Sequence, residues 1–206
     1  MKTLTSLLIA LVFSCATALA ATDPGFGSLF NGKNLDGWKL RNPNGKNLWT
    51  IETGGILQNT VNKGEHGNDL VTEKKFWNFT VRCEFMVPDG SNSGFYLRGR
   101  HEIQILGDSK SGKTSTGGNG AIYSFKAPDV FASKPGDEWQ TLEATIIGDK
   151  ITVILNGKKI HDNVVCTKPT GSEIDRNVTE PGPIFLQGDH GTVAFRNMQI
   201  MELPKH

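Results

Sequence analysis

Two stretches far apart in the chain carry side chains that could do proton chemistry. In the first, Phe95, Leu97, Ile103 and Ile105 alternate with Tyr96, Arg98, Glu102 and Gln104; in the second, Ile184 and Leu186 precede Gln187 and His190. Strand alternation would turn the apolar set to a core and the polar set to a ligand. A carboxylate and an imidazole can move a proton, and arginine and amide groups can hold developing negative charge. Tyr123, in Gly120-Ala-Ile-Tyr-Ser124, could stack on the apolar face of a pyranose. Together these residues have the layout of a carbohydrate groove.

Each has a plainer reading. With Gly99-Arg100-His101 as a three-residue turn, Arg98 falls opposite Glu102 and Tyr96 opposite Gln104. A cross-strand Arg–Glu pair on a solvated sheet contributes only about 0.2–1 kcal/mol and implies no catalysis. A histidine in a turn such as Asp189-His190-Gly191 is more often a loop brace than a base, although histidines titrate near neutrality. His66, His161 and His206 are expected to be solvated. Glu102, Asp108 and His190 form a candidate set for a divalent metal ion. The chain has no His-Glu-x-x-His, Cys-x-x-Cys, Gly-x-Ser-x-Gly or phosphate-binding glycine loop.

The elements that must position these groups are strands. Short alternating or β-branched segments recur between Gly, Pro, Asn and Asp, with no sustained helical spacing, and 24 glycines suit a fold made of turns. Leu142, Ala144 and Ile146 form one inward row and Ile151, Val153 and Leu155 another, joined by Gly148-Asp149-Lys150; Asn156-Gly157 then leads into Lys158 to Ile160. Phe79, Val81, Cys83, Phe85 and Val87 make a further apolar row. Inward parity changes between Val193, Phe195 and Met198, Ile200, which predicts a β-bulge across Arg196-Asn197. Gly107 to Gly120 is expected to be a mobile loop, and Asp162 to Pro183 a long irregular rim or lid.

Lys2, the apolar run Leu7 to Phe13 and Ala18-Leu19-Ala20 define a secretory leader over residues 1–20, with a lipid anchor at Cys15 disfavoured by Phe13. The expected location is secreted or periplasmic. Cleavage leaves residues 21–206 as one domain of about 186 residues, enough to bury roughly 70% of its unfolded surface. No later segment is long and apolar enough to span a membrane as a helix. Lys+Arg 22 against Asp+Glu 21 offers no basic excess for nucleic acid. Cys83 and Cys166 could pair in an oxidising compartment, but the spacing does not require it.

The chain resembles the 3-keto-disaccharide hydrolases, also described as 3-keto-glucoside lyase/hydratase domains. The likeness runs from Ser28-Leu-Phe-Asn-Gly-Lys-Asn-Leu-Asp-Gly-Trp38 through Trp49-Thr-Ile-Glu-Thr-Gly-Gly-Ile-Leu57, Asn92-Ser-Gly94, Glu102-Ile-Gln104 and Gly120-Ala-Ile-Tyr123. It continues through Leu155-Asn-Gly157, Gly182-Pro-Ile184, Leu186-Gln187, His190-Gly191 and Phe195-Arg-Asn197. The resemblance implies an all-β, two-sheet antiparallel jelly-roll sandwich of the concanavalin A-like lectin/glucanase type, with a concave ligand face. It assigns Arg98, Glu102, Gln104, Tyr123, Gln187 and His190 to that face.

The implied substrate is a 3-keto-glucoside, made by a separate sugar oxidoreductase, whose ketone acidifies the C2 hydrogen. Loss of that proton and elimination of the C1 substituent would give a 2-hydroxy-3-keto-glucal, to which water can add. Glu102 or His190 would transfer the proton, Arg98 and Gln104 hold the enediolate, and Tyr123 and Gln187 position the ring. The family pattern places an Asp where this chain has Gly107, one residue before Asp108. A non-catalytic, lectin-like glycan-binding module is the main alternative, and a structural envelope protein a third, because a fold does not fix a function.

Overall fold

The computed structural model describes residues 25–205; the leader and Cys15 lie outside the described residues. The described chain builds two antiparallel sheets. The larger contains β1 (Gly27–Ser28), β3 (Trp49–Glu52), β4 (Ile56–Asn59), β6 (Phe79–Met86), β9 (Gln140–Ile147), β10 (Lys150–Leu155), β11 (Lys158–Val165) and β13 (Val193–Glu202). Its order is β11-β10-β9-β6-β13-β4-β3, with β1 also pairing β13. The smaller contains β2 (Trp38–Leu40), β5 (Leu70–Thr72), β7 (Asn92–Leu97), β8 (His101–Leu106) and β12 (Phe185–Leu186) in the order β2-β5-β12-β7-β8. The fold is therefore the expected all-β sandwich.

The core lies between the sheets. Phe79, Val81, Cys83 and Phe85 of β6, with Val87 just beyond it, are buried, as are Phe95, Leu97, Ile103 and Ile105 of the facing hairpin. Phe95 and Phe195 meet edge to face across the core with ring centroids 6.3 Å apart. The predicted rows Leu142, Ala144, Ile146 and Ile151, Val153, Leu155 pair within one hairpin and are all buried. At Asn156-Gly157, φ values of 50° and 77° give the left-handed pair that a two-residue turn requires. The predicted bulge is present: the β6–β13 register shifts between Arg196 and Gln199, with Asn197 at φ 52°.

Three local expectations are corrected. The β7–β8 turn is Arg98-Gly99-Arg100, with Leu97 opposite His101 and Tyr96 opposite Glu102. Arg98 and Gly99 take φ values of 54° and 65°, and Arg100 N–H donates to the Leu97 carbonyl at 3.1 Å. The register differs from the expected one by two residues, so the inward and outward faces are preserved while the facing partners change. The irregular stretch begins only after β11, because the strand continues to Val165. The loop from Gly107 contains a short 3-10 turn (Ser109–Ser111) and is braced by Asp108.

Both cysteines are buried free thiols. Burial raises both pKa values, that of Cys166 to about 11, which leaves neither suited to nucleophilic work. His161 is fully buried rather than solvated, its Nε2 bonded to the Gly120 carbonyl at 2.9 Å.

His101, carried into β8 by the observed register, is 1% exposed. Burial, then the positive charges of Arg98 and Arg100, push its pKa down to about 4. The fold thus prefers neutral imidazole, and the stability this residue contributes is present above the unfolded pKa of about 6.5 and lost as pH falls towards 4. We expect parent protein to lose up to about 3 kcal/mol more than His101→Gln between pH 7 and pH 4 in urea denaturation. Parallel pH profiles for the two proteins would refute this.

Candidate functional site

The outer face of the five-stranded sheet is covered rather than solvated. Tyr96 stacks on Phe185 with centroids 4.0 Å apart and planes 10° apart, and Val71 and Ile174 pack around them. Beside this apolar patch, Glu102, Gln104, Tyr123, Gln187 and His190 line one pocket of about 50 Å³ together with Asn92 and Ser172. Five of the residues expected to work together therefore do meet. Glu102, on β8, and His190, in the turn between β12 and β13, face the same space.

Each is held by the backbone beneath it. Residues 120–123 run beside β8: Gln104 N–H donates to the Ala121 carbonyl at 2.9 Å, and Tyr123 N–H to the Glu102 carbonyl at 3.0 Å. Glu102 N–H donates to Thr170 Oγ1 at 2.8 Å, tying β8 to the rim segment that carries Ser172. Gln187 N–H donates to the Gly94 carbonyl at 2.9 Å, and Ser93 Oγ donates to the Gln187 carbonyl at 2.8 Å. Gly94 leaves room for the carboxylate, since a Cβ there would lie 2.4 Å from Glu102 Oε1 and 2.9 Å from the Tyr96 ring.

Glu102 is 3% exposed, and its carboxyl pKa is pushed up to about 7 by burial. The Tyr96 hydroxyl and His190 pull it partly back, while Asp189 and Asp69 oppose them. The hydroxyl approaches the carboxylate without good hydrogen-bond geometry. A carboxyl titrating near neutrality in a pocket is suited to accept a proton. His190 Nδ1 bonds to the Asp189 carboxylate, and the imidazole is 46% exposed at the pocket mouth. Gln104 Nε2 donates to the Gly117 carbonyl at 3.2 Å. The Gln104 and Gln187 Oε1 atoms and Asn92 Oδ1 are buried acceptors without a protein partner, in keeping with a site that receives hydroxyl donors.

Three nominated residues are placed differently. Arg98 is fully buried away from the pocket: Nε donates to the Trp77 carbonyl at 2.7 Å and Nη1 to the Gly148 carbonyl at 2.8 Å, with the guanidinium 3.6 Å from the Trp77 ring centroid. Its left-handed turn position swings it off the polar face. Tyr96 lies beneath the pocket wall, fully buried, rather than at the ligand surface. Asp108 accepts from Asn119 N–H at 2.9 Å and from Ser133 Oγ at 2.6 Å. The donor trio Glu102, Asp108 and His190 does not fit a shared ion, and among the described residues no group of three His, Cys, Asp or Glu side chains is arranged to hold one.

Gly107 also has a steric cause, because a Cβ there would lie 2.0 Å from the Pro88 carbonyl oxygen. An aspartate is excluded at that position by this backbone approach.

Asn92 and Ser172 were not anticipated as site residues. Asn92 shares the outward parity of Gly94 and Tyr96, so alternation could have flagged it. Ser172 comes from the irregular rim, where no periodicity points inward. That rim is fixed by Arg100, whose Nε and Nη2 donate to the Asp175 carboxylate at 2.6 and 3.0 Å and whose Nη1 donates to the Glu180 carbonyl at 2.8 Å. A larger cavity of about 390 Å³ on the eight-stranded sheet is bordered by Arg82, Glu84 and Glu143. There Arg82 pairs with Glu143 and Arg196 with Glu84, which leaves those two carboxylates engaged in structural ion pairs.

A two-sheet antiparallel sandwich with a polar pocket on the outer face of its smaller sheet is a concanavalin A-like architecture. A β-glucanase of Bacillus licheniformis shares the fold at a TM-score of 0.57 and 13% identity, over 87% of this chain and 97% of that one. The chain belongs to the 3-keto-alpha-glucoside-1,2-lyase-like domain family, whose pattern matches residues 25–201. It is similar to a 3-keto-disaccharide hydrolase of Bacteroides thetaiotaomicron, with 30% identity over 232 residues covering 87% of this chain and 79% of that protein. A solved structure described as a glycosyl hydrolase of Parabacteroides distasonis superposes with a TM-score of 0.69 at 29% identity, over 87% of this chain and 84% of that one.

Proposed function

We propose that this protein cleaves 3-keto-glycosides by proton abstraction at C2 and β-elimination, followed by hydration. The observation that carries the reading is the buried Glu102 carboxyl, titrating near 7 in a pocket shared with His190. The ionised carboxylate takes the C2 proton, and the C–H electron pair forms an enediolate with the C3 ketone. As the ketone re-forms, the pair moves into a C1–C2 double bond and the C1–O bond breaks. His190, at the pocket mouth, gives a proton to the departing oxygen. Water then adds at C1, losing a proton to the now neutral His190, while Glu102 returns a proton to C2, so both groups are restored and the net reaction is hydrolysis without an oxocarbenium ion.

Tyr123 flanks the ring. Gln104 changes role: with Nε2 engaged by Gly117, it offers Oε1 to a sugar hydroxyl and does not hold the enediolate. The protein acts outside the cytoplasm after leader removal, on substrate that a separate oxidoreductase has oxidised at C3.

Incubation of methyl 3-keto-glucoside and its unoxidised parent in D₂O tests the reading. Methanol release from the keto sugar alone, with deuterium at C2 of the product, is expected. Equal cleavage of the unoxidised glucoside would reject the elimination. Binding of both without cleavage would establish the lectin-like alternative.

A further inference from the structure

His190 sits in the crossover from β12 of the smaller sheet to β13 of the larger, and both feet of that turn are gripped by one side chain. Asn59, the last residue of β4, is fully buried. Its Nδ2 donates to the Gly188 carbonyl at 2.9 Å and to the Gly191 carbonyl at 3.0 Å. Carbonyls only accept, so the amide nitrogen must face the turn, and each of its hydrogens is committed there. The two carbonyls bracket Asp189 and His190. Asn59 can reach them because it pairs with Val193, the first residue of β13. Its Oδ1 has no protein partner, an unfavourable feature in a core amide, whereas Nδ2 is fully used by the turn.

The feet are also pressed onto fixed backbone. A Cβ on Gly188 would lie 2.3 Å from the Asn68 carbonyl oxygen, and one on Gly191 2.8 Å from the Asn92 carbonyl oxygen. Gly188 N–H donates to Asp69 Oδ1 at 2.9 Å, and Ser91 Oγ donates to the Thr192 carbonyl at 2.8 Å, just past the second foot. The tip differs, since the Asp189 and His190 side chains are 43% and 46% exposed. Their mutual bond joins adjacent residues, so it orients the ring without fixing where the pair stands. Glu102 is placed by the ladder of β8. His190, in a turn, depends on what holds the feet.

We infer that Asn59 is a positioning residue for His190, gripping the turn so that the imidazole stands at the Glu102 pocket and can protonate the departing C1 oxygen. The inference rests on the 3-keto-glycoside reading, with His190 as the acid. Asn59 does not line the pocket, so it acts through the turn and not on the substrate.

The test compares kcat for methyl 3-keto-glucoside, whose alkoxide needs a proton to leave, with kcat for 4-nitrophenyl 3-keto-glucoside, whose phenolate does not. The ratio of the two within one preparation does not depend on the fraction folded. In Asn59→Ala the methyl-to-nitrophenyl ratio should fall about tenfold or more, a part of the roughly 10²–10⁴-fold that a positioned acid contributes. KM for the methyl glycoside should stay near the parent value. His190→Ala should lower the ratio further, and adding Asn59→Ala to it should change the ratio by less than about twofold, because the two residues act along one path. Asn59→Ser keeps one donor and should lower the ratio less, in the same direction, which decides the matter if the alanine variant does not fold. An unchanged ratio in the folded Asn59 variant, or a loss that recurs in full in the His190→Ala background, would overturn the positioning role and leave the elimination intact. A ratio unmoved by His190→Ala would instead remove the acid role from which the inference starts. Failure of the parent chain to cleave either glycoside would remove the function itself.

Discussion

Glu102→Gln should lower kcat/KM on a 3-keto-glucoside by about 10²–10⁴-fold, the usual contribution of a positioned proton-transfer group. The parent's rate should climb as pH rises through about 7, where the buried carboxyl ionises, and that limb should vanish in the variant. The same substitution should act on stability in the opposite direction. A carboxyl whose folded pKa is raised from 4.5 to about 7 favours folding in its protonated form. That contribution is complete below the unfolded value and is lost as pH rises through the folded one. Glutamine should therefore match the parent near pH 4 and be more stable near pH 8, by up to about 3 kcal/mol. A variant with near-parent activity would remove Glu102 from the reaction. Equal melting temperatures at pH 8 would show that the carboxylate is not held against its ionisation.

Arg98→Ala should be a folding variant rather than a catalytic one. It deprives the part-buried carbonyls of Trp77 and Gly148 of their donors, exposes the face of Trp77 to a void and removes a large, fully buried side chain. Burial and neighbouring Arg100 lower the guanidinium pKa to about 10, still far above neutrality, so the cation is retained in the fold. Lost packing and unpaired carbonyls together should cost about 3–5 kcal/mol. For a protein of this size that lowers Tm by about 10 °C. The fraction that remains folded should turn over substrate almost normally. A hundredfold fall in kcat at unchanged Tm would restore Arg98 to the site.

Arg98 shows how far strand alternation reaches. The parity of residues 95–105 separated core from ligand face, and it held because the register moved by two residues rather than one. Alternation cannot say where a strand stops, and Arg98 falls in the turn. Two consecutive residues at positive φ redirect its side chain towards Trp77 and Gly148, groups distant in sequence. Asp108 failed as a metal candidate for a related reason. A carboxylate in a loop serves whichever donors the loop closure brings near, here Asn119 N–H and Ser133.

By itself, the amino-acid sequence determined the strand-rich class, the paired inward rows, the Asn156-Gly157 turn, the bulge before Met198 and the polar parity of Glu102, Gln104 and Gln187. Those features depend on neighbours a few residues apart, where two-residue periodicity and turn conformations are set locally. Only the tertiary structure decided that His190 stands over Glu102, that Ser172 and Asn92 complete the pocket, and that Arg98, Tyr96 and Asp108 serve the scaffold instead. Those outcomes depend on which distant segments are brought together when the two sheets close on a shared core. The raised pKa of Glu102 arises at the same step, because it comes from burial by residues that are not its sequence neighbours.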